Sequence, residues 1–480
     1  MTRRAIRTAG VAAVAACAFL PGVAGAAEAA LGERLPLVSA LPFAGVLLSI
    51  ALLPLIANRF WHHHYPKLAL GWIVLFVVPF VAAYRGPGVH AVMHALLGEY
   101  LPFVLLLWAL YTIAGGIAVR GALGGTPAKN TALLAAGMLL ASAVGTTGAS
   151  MLLIRPFLRA NAHRTSRTHL AVFFLFLISN IGGALTPLGD PPLFLGYLSG
   201  VPFFWTLRLA PHMLLAAALL LAAFYVLDRR SVRREAAPAP GTGVASPVAS
   251  RRFDVAGRLN LVWLVGVVSA VLASGVLHWG EVQVAGVPLR VAGLGRDALL
   301  LLFGLLSLRF SPRGIRAENH FTWEPMREVA ILFVAIFITI VPALAILDAG
   351  DQGGLAAITR AVREPWQYFW VTGTLSAFLD NAPTYLTFFN TALGTFRPQG
   401  PDAELVARLI AEAPRTLAAI SCGAVFMGAC TYIGNAPNFM VRAIAAEDGV
   451  RMPSFFGFIG RWTLPFLVPV FLIVTLVFFR

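Results

Sequence analysis

Long apolar runs recur along the chain, most of them close to the length a helix needs to cross the hydrocarbon core of a bilayer, with short polar connections between them. They fall near 36–57, 68–84, 100–119, 131–154, 170–200 and 211–228, then near 259–278, 293–310, 329–347, 366–390, 416–446 and 456–480. Between the two sets lies 229–258: Arg229, Arg230, Arg233 and Arg234, a run of Ala, Pro, Gly and Ser, then Arg251 and Arg252. This segment reads as a basic, flexible cytoplasmic linker joining two halves, 31–228 and 259–480. Residues 1–27 have the layout of a cleaved secretory signal. Arg3, Arg4 and Arg7 precede an apolar stretch from Ala9 to Leu20, and Ala24-Gly25-Ala26 offers a small-residue cleavage site. Cleavage places the mature N-terminus outside; the other reading is an uncleaved first helix.

Composition agrees. Of 480 residues, 59% are hydrophobic and 12% charged, with a mean hydropathy of +0.80. A soluble domain carries about twice that charge. The expected class is an all-α polytopic membrane protein; secreted, fibrous and disordered classes are excluded. The net charge of +15 does not point to nucleic acid, because the arginines sit in short loops between spans, as in a multi-pass inner-membrane protein. The three cysteines form no CxxC, disulfide framework or zinc spacing. Val14-Ala15-Ala16-Cys17 has a lipobox-like shape, but the apolar stretch before it is too short to support lipidation.

The halves match at two places. Ser142-Ala143-Val144-Gly145-Thr146-Thr147-Gly148-Ala149-Ser150 aligns without gaps on Ser376-Ala377-Phe378-Leu379-Asp380-Asn381-Ala382-Pro383-Thr384. Gly183-Ala184-Leu185-Thr186-Pro187-Leu188-Gly189-Asp190-Pro191-Pro192 aligns on Gly428-Ala429-Cys430-Thr431-Tyr432-Ile433-Gly434-Asn435-Ala436-Pro437, with Asp190 answered by Asn435. Charge gives a second comparison. The loop after the first motif carries Arg155, Arg159, Arg164 and Arg167 and no acid, which suits the cytoplasm. Its counterpart balances Arg397, Arg408 and Arg415 with Asp402, Glu404 and Glu412, which suits the outside. Equivalent loops on opposite faces mean an inverted repeat. The topology closes when 131–154 and 366–390 are re-entrant hairpins.

The motifs carry ion chemistry. Thr-Pro-Leu-Gly-Asp-Pro-Pro cannot be a continuous helix, and its freed carbonyls need partners inside the membrane. Asp190-Pro191 is a helix start, an acid at the cap and Pro at the first position. Pairing each hairpin tip with the broken helix of its own half gives two expected sites. One holds Thr146, Thr147, Thr186, Gly189 and Asp190; the other holds Asp380, Asn381, Thr384, Thr431, Gly434 and Asn435. Each contains one carboxylate. A membrane-embedded carboxylate serves ion or proton work, and a proton and Na⁺ compete for it. Asp190 and Asp380 are therefore the expected Na⁺ ligands, with no cofactor beyond Na⁺ and H⁺ as transported ions.

Plainer roles stand beside these. Asp190 read alone is a helix cap, and Thr146 and Thr147 are small packing residues. His62-His63-His64 resembles a metal run but sits beside Arg59 and Lys67, so a solvated cytoplasmic loop is expected, with Trp61 and Tyr65 as interface anchors. Tyr84, Arg85, His90, His94 and Glu99, and the acids Glu281, Asp348 and Asp351, read as outer loops.

The run Ser-Asn-Ile-Gly-Gly-Ala-Leu-Thr-Pro-Leu-Gly-Asp-Pro-Pro at 179–192 and Leu-Asp-Asn-Ala-Pro-Thr at 379–384 resemble the ion-transporter superfamily. That superfamily includes NhaD-type sodium/proton antiporters, arsenite permeases and citrate or dicarboxylate carriers. The resemblance implies inverted repeats with re-entrant hairpins and broken helices, scaffold and transport domains, a homodimer and elevator-type alternating access. Dicarboxylate carriers carry Ser-Asn-Thr at both hairpin tips, where this chain has Thr146-Thr147-Gly148 and Asp380-Asn381-Ala382. Asp-Asn-x-Pro is closer to the antiporter branch, and no arginine stands inside either motif to pair with a carboxylate. Arg155, just beyond the first hairpin, keeps an anion in view.

The expected function is Na⁺ (or Li⁺)/H⁺ exchange, with a coupled carrier of citrate, dicarboxylate or arsenite as the alternative. An intramembrane aspartyl protease also needs two membrane aspartates. Here Pro187-Leu188-Gly189-Asp190 lacks the first glycine of the Gly-x-Gly-Asp pattern of such enzymes. The expected partners are the lipid bilayer and small ions, not nucleic acid.

Overall fold

The structure is a computed structural model that describes residues 35–120, 125–235, 254–277, 279–319, 321–348, 361–396 and 402–480. The signal segment 1–27, Cys17, Arg251, Arg252, Asp351 and Arg397 lie outside them. Among the described residues, seven helical stretches are long and apolar enough to cross a membrane, and up to nine if two bent pairs count as spans. The chain is a helical, multi-pass membrane protein.

In the first half, Leu41–Ile56, the kinked helix Asn58–His94 and Leu101–Gly115 precede the hairpin and broken helix. In the second, Leu259–Val276, Val291–Phe310 and the bent pair Glu324–Thr339 and Val341–Asp348 occupy the same place. The stretch Thr168–Leu185 is 89% buried by protein, against 17–39% for the other six spans, so the first broken helix sits at the centre.

Several expectations about local structure change. The segment 58–67 is helix, not loop. Two of its histidines find partners one turn back: His63 Nδ1 lies 2.8 Å from the Arg59 carbonyl oxygen and His64 Nδ1 3.1 Å from that of Phe60. Trp61 and Tyr65 face protein instead of an interface, and Trp61 Nε1 donates to Glu328 (3.3 Å). The cluster near residue 85 is a helix kinked at Arg85 (φ 45°), and Glu281 opens a β-hairpin, Glu281–Val284 paired with Val287–Arg290. The linker is shorter than 229–258. Helix Ala210–Glu235 runs through its first arginines, and Asp254–Ala256 pairs antiparallel with Ala118–Arg120. That pairing holds the end of the third span beside the start of the second half.

Both hairpins start from the same kind of cap. Thr126 accepts the Lys129 N–H ahead of Pro127, and Glu364 with Gln367 forms a capping box around Pro365. The arms Pro127–Val144 and Thr146–Ala160 turn at Gly145 (φ 82°, ψ 148°); Pro365–Leu379 and Asn381–Gly394 turn at Asp380 (φ 77°, ψ 147°). The first hairpin returns to where it entered. Asn130, near its start, and Asn161, at its end, exchange side-chain hydrogen bonds of 2.9 and 3.0 Å.

Asp228, fully buried, ties this base together. It accepts from Asn130 (2.9 Å) and from Arg164, and lies 2.8 Å from His169 Nε2. The Asp228 and Arg164 side chains are 0% and 1% exposed. Removing one member of a buried pair strands the other charge, at about 3–5 kcal/mol. Asp228→Ala is therefore expected to lower the melting temperature in detergent sharply, with Asp228→Asn milder because its amide oxygen still accepts. Equal melting of wild type and Asp228→Ala would contradict this.

Candidate functional site

Each broken helix stops for the same reason and in the same shape. Thr168–Leu177 gives way to a 3₁₀ turn, Ile181–Leu185, and resumes at Pro191–Leu198. Pro414–Met427 gives way to Gly428–Cys430 and resumes at Ala436–Glu447. Thr186 and Thr431 are both extended (φ −142° and −141°), as are Asp190 and Asn435 (φ −145° and −155°). Two glycines make the fold-back possible. A Cβ on Gly189 would lie 2.2 Å from the Gly183 carbonyl oxygen, and one on Gly434 would lie 2.7 Å from that of Gly428. Gly189→Ala is expected to force the break apart and remove folded, detergent-stable protein; unchanged yield and melting would refute that packing.

The break also docks on the hairpin tip. Thr146 N–H donates to the Gly189 carbonyl (2.8 Å). Thr186 donates its hydroxyl to the Ser142 carbonyl and accepts the Leu188 N–H. Thr431 does the same with Ala377, Ile433 and Gly434, and Thr384 donates to the Asp380 carbonyl (2.7 Å). Thr186 and Thr431 thus spend their hydroxyls on carbonyls freed at the end of each hairpin's first arm, Thr384 bonds back one turn within its own helix, and none of these expected ligands lines the cavity described below. Gly434 does not line it either.

Asp190 is the hub. It stands at the N-cap position of Pro191–Leu198, yet its side chain makes no capping bond. Oδ1 accepts from Thr146 Oγ1 (3.0 Å) and Asn435 Nδ2 (3.0 Å), and Oδ2 accepts from Asn381 Nδ2. Each hydrogen bond to a charged group contributes about 1.5–3 kcal/mol, so three offset much of the cost of burying a carboxylate. Two of the donors come from the other half of the chain. The expectation of two separate sites, each within one half, is corrected here to a single centre. The four interruptions lie together, and buried polar groups at that depth find partners in one another.

Asp380 stands at the turn of the second hairpin, half-buried, also at an N-cap position without a capping bond. It lines the same cavity as Thr146, Thr147, Gly189, Asp190 and Asn435. The cavity's far wall is apolar, from Phe103, Leu110 and Tyr111 on one third span and Met326 and Phe333 on the other. Among the described residues lining it there are two carboxylates and no Lys, Arg or His. Arg155 is not part of it and pairs with Glu447 instead (3.1 Å). One acceptor stays open nearby: the Oδ1 of fully buried Asn381 has no hydrogen-bond partner.

Sequence reasoning missed Asn180 and Asn438, both buried and both bonded into this centre. The available signal was an amide close to each break, Asn180 alone on the first broken helix and Asn438 beside Asn435 on the second. It also passed over Ser142 and Ser376, aligned on each other, whose hydroxyls cap carbonyls at Gly182 and Ala424.

Helices interrupted at a shared, buried polar centre in a multi-pass membrane protein are the architecture of secondary transporters. The chain belongs to the family described as putative citrate transport, whose model matches residues 32–479. No curated protein matches it.

Proposed function

We propose that the protein is a cation/proton antiporter of the inner membrane, exchanging Na⁺ or Li⁺ for H⁺, with Asp190 and Asp380 forming one ion centre. The observation that carries this reading is the charge of the cavity, with two carboxylates and no basic side chain among its described lining residues. Such a centre attracts a small cation and repels a free carboxylate substrate. A carboxylate holds either a proton or a metal cation, and this mutual exclusion is the core of an exchanger. Asn381 lies off the cavity lining but donates to Asp190, and its unpartnered Oδ1 is a neutral oxygen of the kind Na⁺ takes.

The matched break conformations of the two halves support an inverted repeat. In that arrangement the hairpins and broken helices move as a transport unit against the three spans that open each half, in an elevator-type cycle and within a homodimer. A second reading, a cation- or proton-coupled carrier of citrate or a related anion, is favoured by the family's description. It requires bound cations to offset the two aspartates. Proteoliposomes with an imposed pH gradient separate the two: Na⁺ or Li⁺ collapses the gradient in the first, and labelled citrate accumulates in the second.

A further inference from the structure

We propose that Asn438 and Asn180 are positioning residues that orient Asn435 toward Asp190, so that the break in one half sets the ion centre of the other. This rests on the ion-binding role of Asp190 argued above.

Hydrogen-bond bookkeeping fixes every amide in the chain of contacts. Asn438 Nδ2 lies 2.9 Å from the carbonyl oxygens of both Gly428 and Thr431. Carbonyls only accept, so the NH₂ of Asn438 must face them and its oxygen must face away. That oxygen receives Asn180 Nδ2 at 2.8 Å, and the same nitrogen donates to the Leu175 carbonyl at 2.8 Å. Both protons of Asn180 are then used, which turns its own oxygen toward Asn435. Asn435 must answer with its NH₂, whose two protons are shared among Asp190 Oδ1 (3.0 Å), the Ser179 carbonyl (3.2 Å) and, at the longest reach, Asn180 Oδ1 (3.3 Å). A flip of any one amide would set donor against donor or oxygen against oxygen. One consistent orientation therefore runs from two carbonyls released by the second break to the carboxylate of the first, held along the way by the carbonyls of Leu175 and Ser179.

Asn180, Asn435, Asn438 and Asp190 are each no more than 1% exposed, so water does not substitute for a lost link. Asn435 can thus serve Asp190 only as a donor. The relay is the outer support of an ion centre, where partners of this kind tune affinity by about 10–100-fold.

The test uses the full-length protein in proteoliposomes, with Na⁺ and then Li⁺ as the probe and proton flux as the readout. Asn180→Ala and Asn438→Ala are each expected to raise the half-saturating ion concentration about tenfold or more, with the maximal rate per folded molecule little changed. The double variant should be no worse than either single one, because both break the same chain. Ser150→Ala removes an equally buried contact, the 2.8 Å link to the Ser179 hydroxyl, without touching Asp190, and should leave the half-saturating concentration unchanged. Should the alanine variants fail to fold, Asn180→Ser and Asn438→Ser should shift the same parameter in the same direction. Unchanged half-saturation in the folded variants, or a double variant with additive effects, overturns the relay. A wild type silent to both ions overturns the exchange reading itself, and the relay's role in ion affinity with it.

Discussion

Asp380→Gly is expected to give a protein that is more stable than the wild type and unable to exchange ions. Asp380 sits at φ 77°, ψ 147°, a backbone region that side chains rarely adopt, and the structure matches it with Gly145 of the first hairpin, one residue before the Thr146 that the gap-free alignment sets against it. Holding a non-glycine residue there costs about 1–3 kcal/mol. Its carboxylate faces the N–H groups of Asn381 and Ala382 without forming a full capping bond, so it recovers only part of that cost. Glycine relieves the strain, so the melting temperature in detergent should rise while cation-evoked proton flux is lost. Asp380→Asn should lose flux without the gain in stability, since the strained backbone remains. A glycine variant that still exchanges would show that the carboxylate is not the reason for the strained turn.

Replacing Asp190 should move stability the other way. Asp190→Ala leaves the Thr146 hydroxyl and the Asn381 and Asn435 amides without the acceptor they share. Each buried donor left unpaired costs about 1–3 kcal/mol, so the variant should be both inactive and markedly less stable. Asp190→Asn keeps one acceptor oxygen but sets an NH₂ against at least one donor, so it should fall between. Function is lost at either aspartate, while stability rises with Asp380→Gly and falls with Asp190→Ala. That pairing separates a carboxylate held by its neighbours from one held against backbone preference. Equal effects of Asp380→Gly and Asp190→Ala on melting would refute it.

The elements of this centre were legible because each leaves a local mark. Prolines at 127, 365, 191 and 437 announce helix starts, and Gly145 and the Gly189–Asp190 pair announce turns and breaks. What joins them was not. Pairing each hairpin tip with the broken helix of its own half groups Thr146 with Asp190 and Asn381 with Asn435, but Asp190 takes donors from both halves because all four interruptions meet at one point. The threonines misled for a related reason. A hydroxyl beside a broken helix is a good ion ligand and an equally good partner for a freed carbonyl, which wins at Thr186 and Thr431, while Thr384 bonds back one turn within its helix. The histidine segment misled by composition, since it is helical and His63 and His64 bond to carbonyls one turn back.

The most direct measurement of the central claim is made on purified protein in proteoliposomes with an imposed pH gradient and a pH-sensitive dye. Na⁺, Li⁺, K⁺ and citrate are added in turn, with Asp380→Asn alongside. Two aspartates in a cavity without a basic residue among its described lining predict collapse of the gradient on Na⁺ or Li⁺, absent in the variant. Silence to every cation with flux on citrate, or a response that survives in Asp380→Asn, would contradict it.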